Sequence, residues 1–346
     1  MANSKKKRLK IFTFIFGLLI LIAVIIGYYI RNTAFKPIEL EETVYIYIEP
    51  STKYDEIVDQ IKKQVNLPSE KFFKIISEKM KYPETIKTGR YAIRDGMTMP
   101  EIIRMLRSGN QSAVKLTFNN MRTNENLAGR ISNQLMLDSV ELLNVLKDET
   151  KLEVLGFDTN TIAAMFIPNT YEVYWDTSID NLMNRMKKEY TSFWNESRKD
   201  KAKEIGLSPI EVSILASIVE EEATYSDEYS IVAGLYLNRL KRGQRLEADP
   251  TIKFALNDFS LRRILYKHLE VESPYNTYRN EGLPPGPIRI PSIKGIDATL
   301  SPQDHKYLFM CAKEDLSGRH NFATTHAEHL RNAARYQRAL NERKIY

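Results

Sequence analysis

Apolar residues are distributed along this chain in three regimes. Ile11 to Ile30 is a run without a charge, interrupted only by Thr13, Gly17 and Gly27. From Val44 the apolar spacing alternates between period two and the helical period. Beyond residue 205, helical runs carry dense Glu, Pro and Gly punctuation. The first run predicts a membrane helix, because its residues at ~1.5 Å each span ~30 Å, the thickness of bilayer hydrocarbon. Lys5, Lys6, Lys7, Arg8 and Lys10 lie immediately before it. The positive-inside rule therefore places residues 1–10 in the cytoplasm and everything after Arg31 outside the plasma membrane. Tyr28 and Tyr29 suit the interfacial belt. A cleaved signal peptide is the competing reading; the run is long for an h-region, and Gly27-Tyr28-Tyr29-Ile30 offers no small-x-small site.

After a linker over 31–43, Val44 to Ile48 reads as a strand, and helices follow over about 54–64 and 69–79. Gly89 to Ile93 is a second strand. Thr98, Pro100 and Glu101 form the opening of a helix with a capping box, closed at Gly109, and Val114 to Phe118 is a third strand. Residues 44–118 thus predict a small α+β module, 119–205 a mainly helical connecting region, and 206–346 the region richest in chemistry. There Ser208, Pro209 and Glu211 open a helix that runs into Glu220-Glu221-Glu222-Ala223. A second helix over about 227–242 ends at Gly243, and the prolines of 273–292 impose a rigid loop. The fold class is α+β behind one N-terminal membrane helix.

Composition narrows the function. The net charge is +6, but the five basic residues of the tail account for all except about +1, which leaves no footprint for a nucleic-acid backbone. Cys311 is alone, so neither a disulfide nor a thiolate metal site is available, and it reads as a buried apolar residue. His326 and His329 lack a third ligand. No metal or cofactor is predicted.

Glycosidic cleavage near neutral pH requires a carboxylic acid that keeps its proton. Glu220 is the candidate: it lies in the last turn of its helix, where the macrodipole, Glu221, Glu222 and the apolar Leu215, Ile218 and Val219 would all disfavour an anion. Leu215-Ala216-Ser217-Ile218-Val219-Glu220 resembles the endolytic murein transglycosylase (YceG-like) family. So do Leu237-Asn238-Arg239-Leu240, Gln244-Arg245-Leu246, Asp249-Pro250-Thr251, Ser273 to Tyr278, Gly282 to Ile288 and Gly318 to Phe322. Thr88 to Tyr91 and Met105 to Gly109 resemble that family's LysM-like subdomain, and Phe166 to Tyr171 a Phe-Pro-Asp-Thr-Tyr-type segment with Asn169 in place of Asp. Ala223, where Thr is common, and Glu247-Ala248, where a neutral polar pair is usual, depart from the pattern.

The resemblance implies lytic cleavage between N-acetylmuramic acid and N-acetylglucosamine within peptidoglycan strands, leaving a 1,6-anhydro end and terminating nascent strands. Glu220 would be the acid and Glu222 the second acidic residue. Tyr275 and Asn276 are candidates to hydrogen-bond the sugar from the rigid loop, or to cap nearby backbone. Arg239, beside Asn238, is a candidate partner for Glu222, and His320 a candidate substrate contact. Two other readings stay open. A hydrolytic muramidase needs a second carboxylate ~5–9.5 Å from the acid, with Glu222, Glu247 and Asp249 available. A non-catalytic glycan-binding scaffold would recruit peptidoglycan synthases instead.

Overall fold

The computed structural model describes residues 2–343, which divide into two compact units. The first comprises the N-terminal residues through Val114 together with the short excursion Glu172–Asp176. It begins with a helix over Ala2–Ala34, of which Lys6–Ala34 is long and apolar enough to cross a membrane. The helix runs into protein: Ala34 is buried in the core of the first unit, and Tyr29 meets Phe72 edge to face.

The linker expected over 31–43 is not a free tether. Ile38 is buried, its N–H donates to the Met97 carbonyl, and its own carbonyl accepts from Gly96 N–H. A buried apolar side chain and a pair of backbone bonds strap the segment onto the module. The strands Val44–Ile48 and Gly89–Ile93 pair antiparallel, Val44 opposite Ile93 and Ile48 opposite Gly89. Between them in sequence lie helices Tyr54–Gln64 and Glu70–Lys79. Ile46, Ile48, Tyr91 and Ile93 from the strands close a core with Ile57, Ile61, Phe73, Ile102 and Leu106 from the helices. The helix Met99–Ser108 starts as its sequence dictates, with Glu101 accepting the Thr98 backbone N–H at 2.8 Å. It stops at Gly109, whose φ of 75° is one that other residues resist.

The second unit comprises residues 115–171 and those from Thr177 onward. Residues 119–205, expected as a separate connecting region, belong to it. Ile167, Trp194 and Ala202 share one core with Val212, Ala216 and Ile296, so no boundary can fall between them. At the centre is the helix Pro209–Glu222, buried at every position from Val212 to Glu220. Ser208 caps it, with Glu211 returning a 2.7 Å acceptor to the Ser208 N–H. The helices Tyr229–Lys241, Asp249–Ala255 and Ile293–Thr299 pack around it. An antiparallel hairpin, Phe309–Ala312 with His320–Ala323, is backed by the helix His326–Glu342. The proline-rich 273–292 segment carries no regular structure but is anchored: Ser217 Oγ, deep in the central helix, accepts the Ile288 N–H at 3.0 Å.

Candidate active site

The end of the central helix sends three consecutive carboxylates to different surroundings. Glu220, expected to face a sugar, is turned into protein. Its carboxylate accepts from the Ser292 N–H at 3.1 Å and from Ser292 Oγ, and Arg289 Nε stands 3.7 Å away. Gly295 lies so close that a Cβ there would overlap the carboxylate. Ser292 caps the helix Ile293–Thr299, so Glu220 pins this helix to the central one. Glu221 is bound by Arg122 at 3.0 Å and by Arg289 at 2.8 Å. The cluster of uncompensated charge expected around Glu220 therefore does not exist, because two guanidinium groups occupy it.

Glu222, two residues on, opens into a cavity of about 260 Å³. Its carboxyl is pushed up to about 7, first by burial and then by the negative charge of Asp249. Against that rise, Tyr236 donates its hydroxyl to Glu222 Oε1 at 3.0 Å. Tyr236 is buried, and its own hydroxyl is held well above the ordinary tyrosine range by desolvation and by Glu222. Across the cavity Tyr278 donates to Asp249 Oδ1 at 2.6 Å. The result is a carboxyl that carries its proton near neutrality beside a carboxylate that a phenol holds in place. Glu247, Asp249 and His320 also line the hollow. All three carboxylates considered as second members of a pair are thus brought together here, and Glu220 is not among the lining residues.

Arg239 belongs to the wall but is not a partner of Glu222. It is buried, and donates to the carbonyls of Leu308, Arg245 and Leu246 and to Glu247 at 2.9 Å. It thereby ties the hairpin and the segment before Asp249 to the helix Tyr229–Lys241. Asn238 does similar work, donating to the carbonyls of His305 and Tyr307. Asn276 is fully buried, its amide given to Leu269 and Val271 and its carbonyl accepting Tyr278 N–H. Of the two roles open to it, backbone capping is the one the geometry supports, and its effect is to position Tyr278. Tyr275 packs on Phe254, ring centroids 4.6 Å apart, away from the cavity. Cys311, expected to be buried, is half-buried in the hairpin and forms part of the wall.

Sequence reasoning missed Tyr236, Tyr278, Ser292, Arg289 and Glu228. Tyr236 had a signal available: it lies on the helix that follows Glu222 and packs beside Glu222's own, on the inward face with Leu235 and Arg239. The partners of Glu220 lie about 70 residues further along the chain, in an irregular segment whose spacing carries no period.

A helix-centred α+β unit that places a carboxyl of raised pKa in a polar hollow has the arrangement that acid–base chemistry requires. The chain belongs to the YceG-like family, whose profile matches residues 46–335. The endolytic murein transglycosylase of Bacillus subtilis is 30% identical over 326 residues, which cover 89% of this chain and 89% of that one. The protein of the same name from Streptococcus pneumoniae R6 is 28% identical over 176 residues, 49% of this chain and 31% of that one. The crystal structure of a yceG-like protein from Listeria monocytogenes superposes with a TM-score of 0.56 at 24% identity, over 84% of this chain and 99% of that one, and shows the shared fold.

Proposed function

We propose that this chain is a membrane-anchored peptidoglycan lytic transglycosylase that cleaves within glycan strands, with Glu222 as its general acid. The observation that carries the assignment is a carboxyl raised to about 7 in a cavity it shares with Asp249. The family membership supplies the substrate, and the chemistry follows from the site. Glu222 gives its proton to the oxygen departing from the muramic acid anomeric carbon. The Asp249 carboxylate faces the positive charge that builds on that carbon. The C6 hydroxyl of the same sugar then closes the 1,6-anhydro ring, a reaction favoured when the hydroxyl is held in line. Glu220, the acid implied by sequence resemblance, is assigned a structural role, since its carboxylate is already engaged by Ser292 and Arg289.

The N-terminal helix anchors the enzyme in the plasma membrane with its basic tail cytoplasmic and both units outside, a reading supported by the charge asymmetry around the span. The first unit serves as a LysM-like glycan-binding module; its β-α-α-β order with antiparallel strands supports this. The same membrane anchoring supports a partnership with peptidoglycan synthases.

The presence of Asp249 in the same cavity favours one second reading, a hydrolytic muramidase in which this carboxylate activates water. Mass analysis of products from purified glycan strands separates the two. Internal fragments ending in 1,6-anhydro-muramic acid, lost in Glu222→Gln and retained in Glu220→Gln, are expected. Reducing ends that have gained water would replace the lytic reading with the hydrolytic one.

A further inference from the structure

If Glu222 delivers its proton to the leaving oxygen, the proton on the attacking C6 hydroxyl needs an acceptor in the same hollow. Most lining groups are already engaged. The Tyr236 and Tyr278 hydroxyls donate to Glu222 and Asp249, and Arg239 has no acceptor and is committed to three carbonyls and Glu247. His320 differs. Its backbone N–H donates to Glu228 Oε1 at 3.1 Å and its ring Nδ1 lies 3.0 Å from Glu228 Oε2. Glu228 is 5% exposed, and both of its carboxylate oxygens engage this one residue. A carboxylate only accepts, so Nδ1 carries the hydrogen and the lone pair resides on Nε2. Among the described residues Nε2 has no hydrogen-bond partner, yet it is not among the polar atoms sealed from solvent, and His320 lines the cavity. That leaves an accessible, unpartnered Nε2 on a residue of the cavity wall.

We infer that His320, oriented by Glu228, is the base that removes the C6 hydroxyl proton during ring closure. This rests on the lytic reading with Glu222 as acid, and it divides between two residues the proton traffic that a single carboxyl would otherwise handle in sequence. The step balances. The C1–O4 bond breaks with its electron pair going to O4, which takes the Glu222 proton. The C1–O6 bond forms, and the O6 proton passes to His320 Nε2. Glu222 is left anionic and His320 cationic, and one proton returned from Nε2 through cavity water resets both.

Glu228 is the ionisable group bound to the His320 ring, and Glu222, Asp249, Glu247, Tyr278 and Arg239 face it across the cavity, while neighbouring Arg319 turns away to Asp227. A general base must enter the step without its proton, so the rate should carry an acidic limb.

The test is steady-state kinetics of the full-length chain in detergent on uncrosslinked glycan strands, with thermal melting to verify folding. His320→Asn is expected to lower kcat by roughly 30- to 100-fold with KM changed less than about threefold and to abolish the acidic limb of kcat. His320→Ala should regain rate on adding free imidazole, and Glu228→Gln should lower kcat by about tenfold and move the acidic limb. A folded His320→Asn variant that still forms anhydro ends, with kcat within about threefold of wild type or with only KM altered, overturns the assignment and leaves Glu222 to act in both directions. Wild-type products carrying added water would instead remove the lytic reading, and the C6 proton with it.

Discussion

Glu220 and Glu222 stand two positions apart at the end of one helix, ~200° around its axis from each other, and the protein uses the two sides in opposite ways. On the Glu220 side the carboxylate meets donors: the Ser292 N–H and hydroxyl, with the Arg289 guanidinium beyond. On the Glu222 side it meets a phenol, a second carboxylate and a hollow. Both are withdrawn from bulk water, so burial alone does not distinguish them. Partners do. Donors make a buried anion a structural bond, whereas desolvation and a like charge keep a proton on the group and make it an acid.

The sharpest way to break this contrast is Glu222→Gln, which preserves shape and removes the proton. Turnover should fall by at least ~10³-fold with no loss of melting temperature, read by release of anhydro-muramic ends. Asp249→Asn comes next. After burial, the negative charge of Asp249 raises the Glu222 carboxyl, and activity requires the protonated acid, so wild-type activity should decline as pH rises through about 7. In the variant that basic limb should move to lower pH, with kcat at neutrality reduced ~10- to 100-fold. An unmoved limb would detach Asp249 from the acid.

Glu220→Gln should show the reverse signature. It leaves a hydrogen-bonding side chain against Ser292 but removes the charge that Arg289 faces, so stability should drop by about 1–3 kcal/mol, measured by denaturant titration. At temperatures where the variant is folded, kcat should stay within about fivefold of wild type. Lost turnover with unchanged stability would exchange the roles of the two residues.

How far the chain could be read without its structure follows the same division between local and distant causes. The helix Met99–Ser108 and the helix Pro209–Glu222 were legible to the residue at their starts, because Thr98 with Glu101 and Ser208 with Glu211 settle their capping within four positions. The long apolar N-terminal helix was legible because composition alone suffices for it. The acid was not. A Glu triplet on a helix places its members ~100° apart, and nothing within the triplet says which face meets the cavity. The deciding contacts come from Ser292 on one side and from Asp249 and Tyr278 on the other, tens of residues away. Likewise Asn238 and Arg239 read as site residues in sequence, yet the amide nitrogen of the first is given to carbonyls of the 305–307 segment. A polar side chain on a buried helix face says only that a partner exists.

The smallest expected effect concerns stability rather than rate, and it probes the Glu222 side without substrate. The folded protein holds the Glu222 proton up to about 7, above the ordinary value of 4.5 that it has when the chain is unfolded. Folding is therefore unburdened by this group below that ordinary value, and the stability it shares is lost as pH rises through about 7. Glu222→Gln cannot ionise and escapes the loss. The two proteins should be equally stable near pH 4 and diverge through the interval, until the variant is more stable by about 1–2 kcal/mol at pH 8, less than the full shift because cavity water screens the charge. Parallel denaturation curves at several pH values measure the divergence. A constant offset between the two proteins would mean that Glu222 ionises as freely in the fold as outside it, and the cavity would then have no acid to offer.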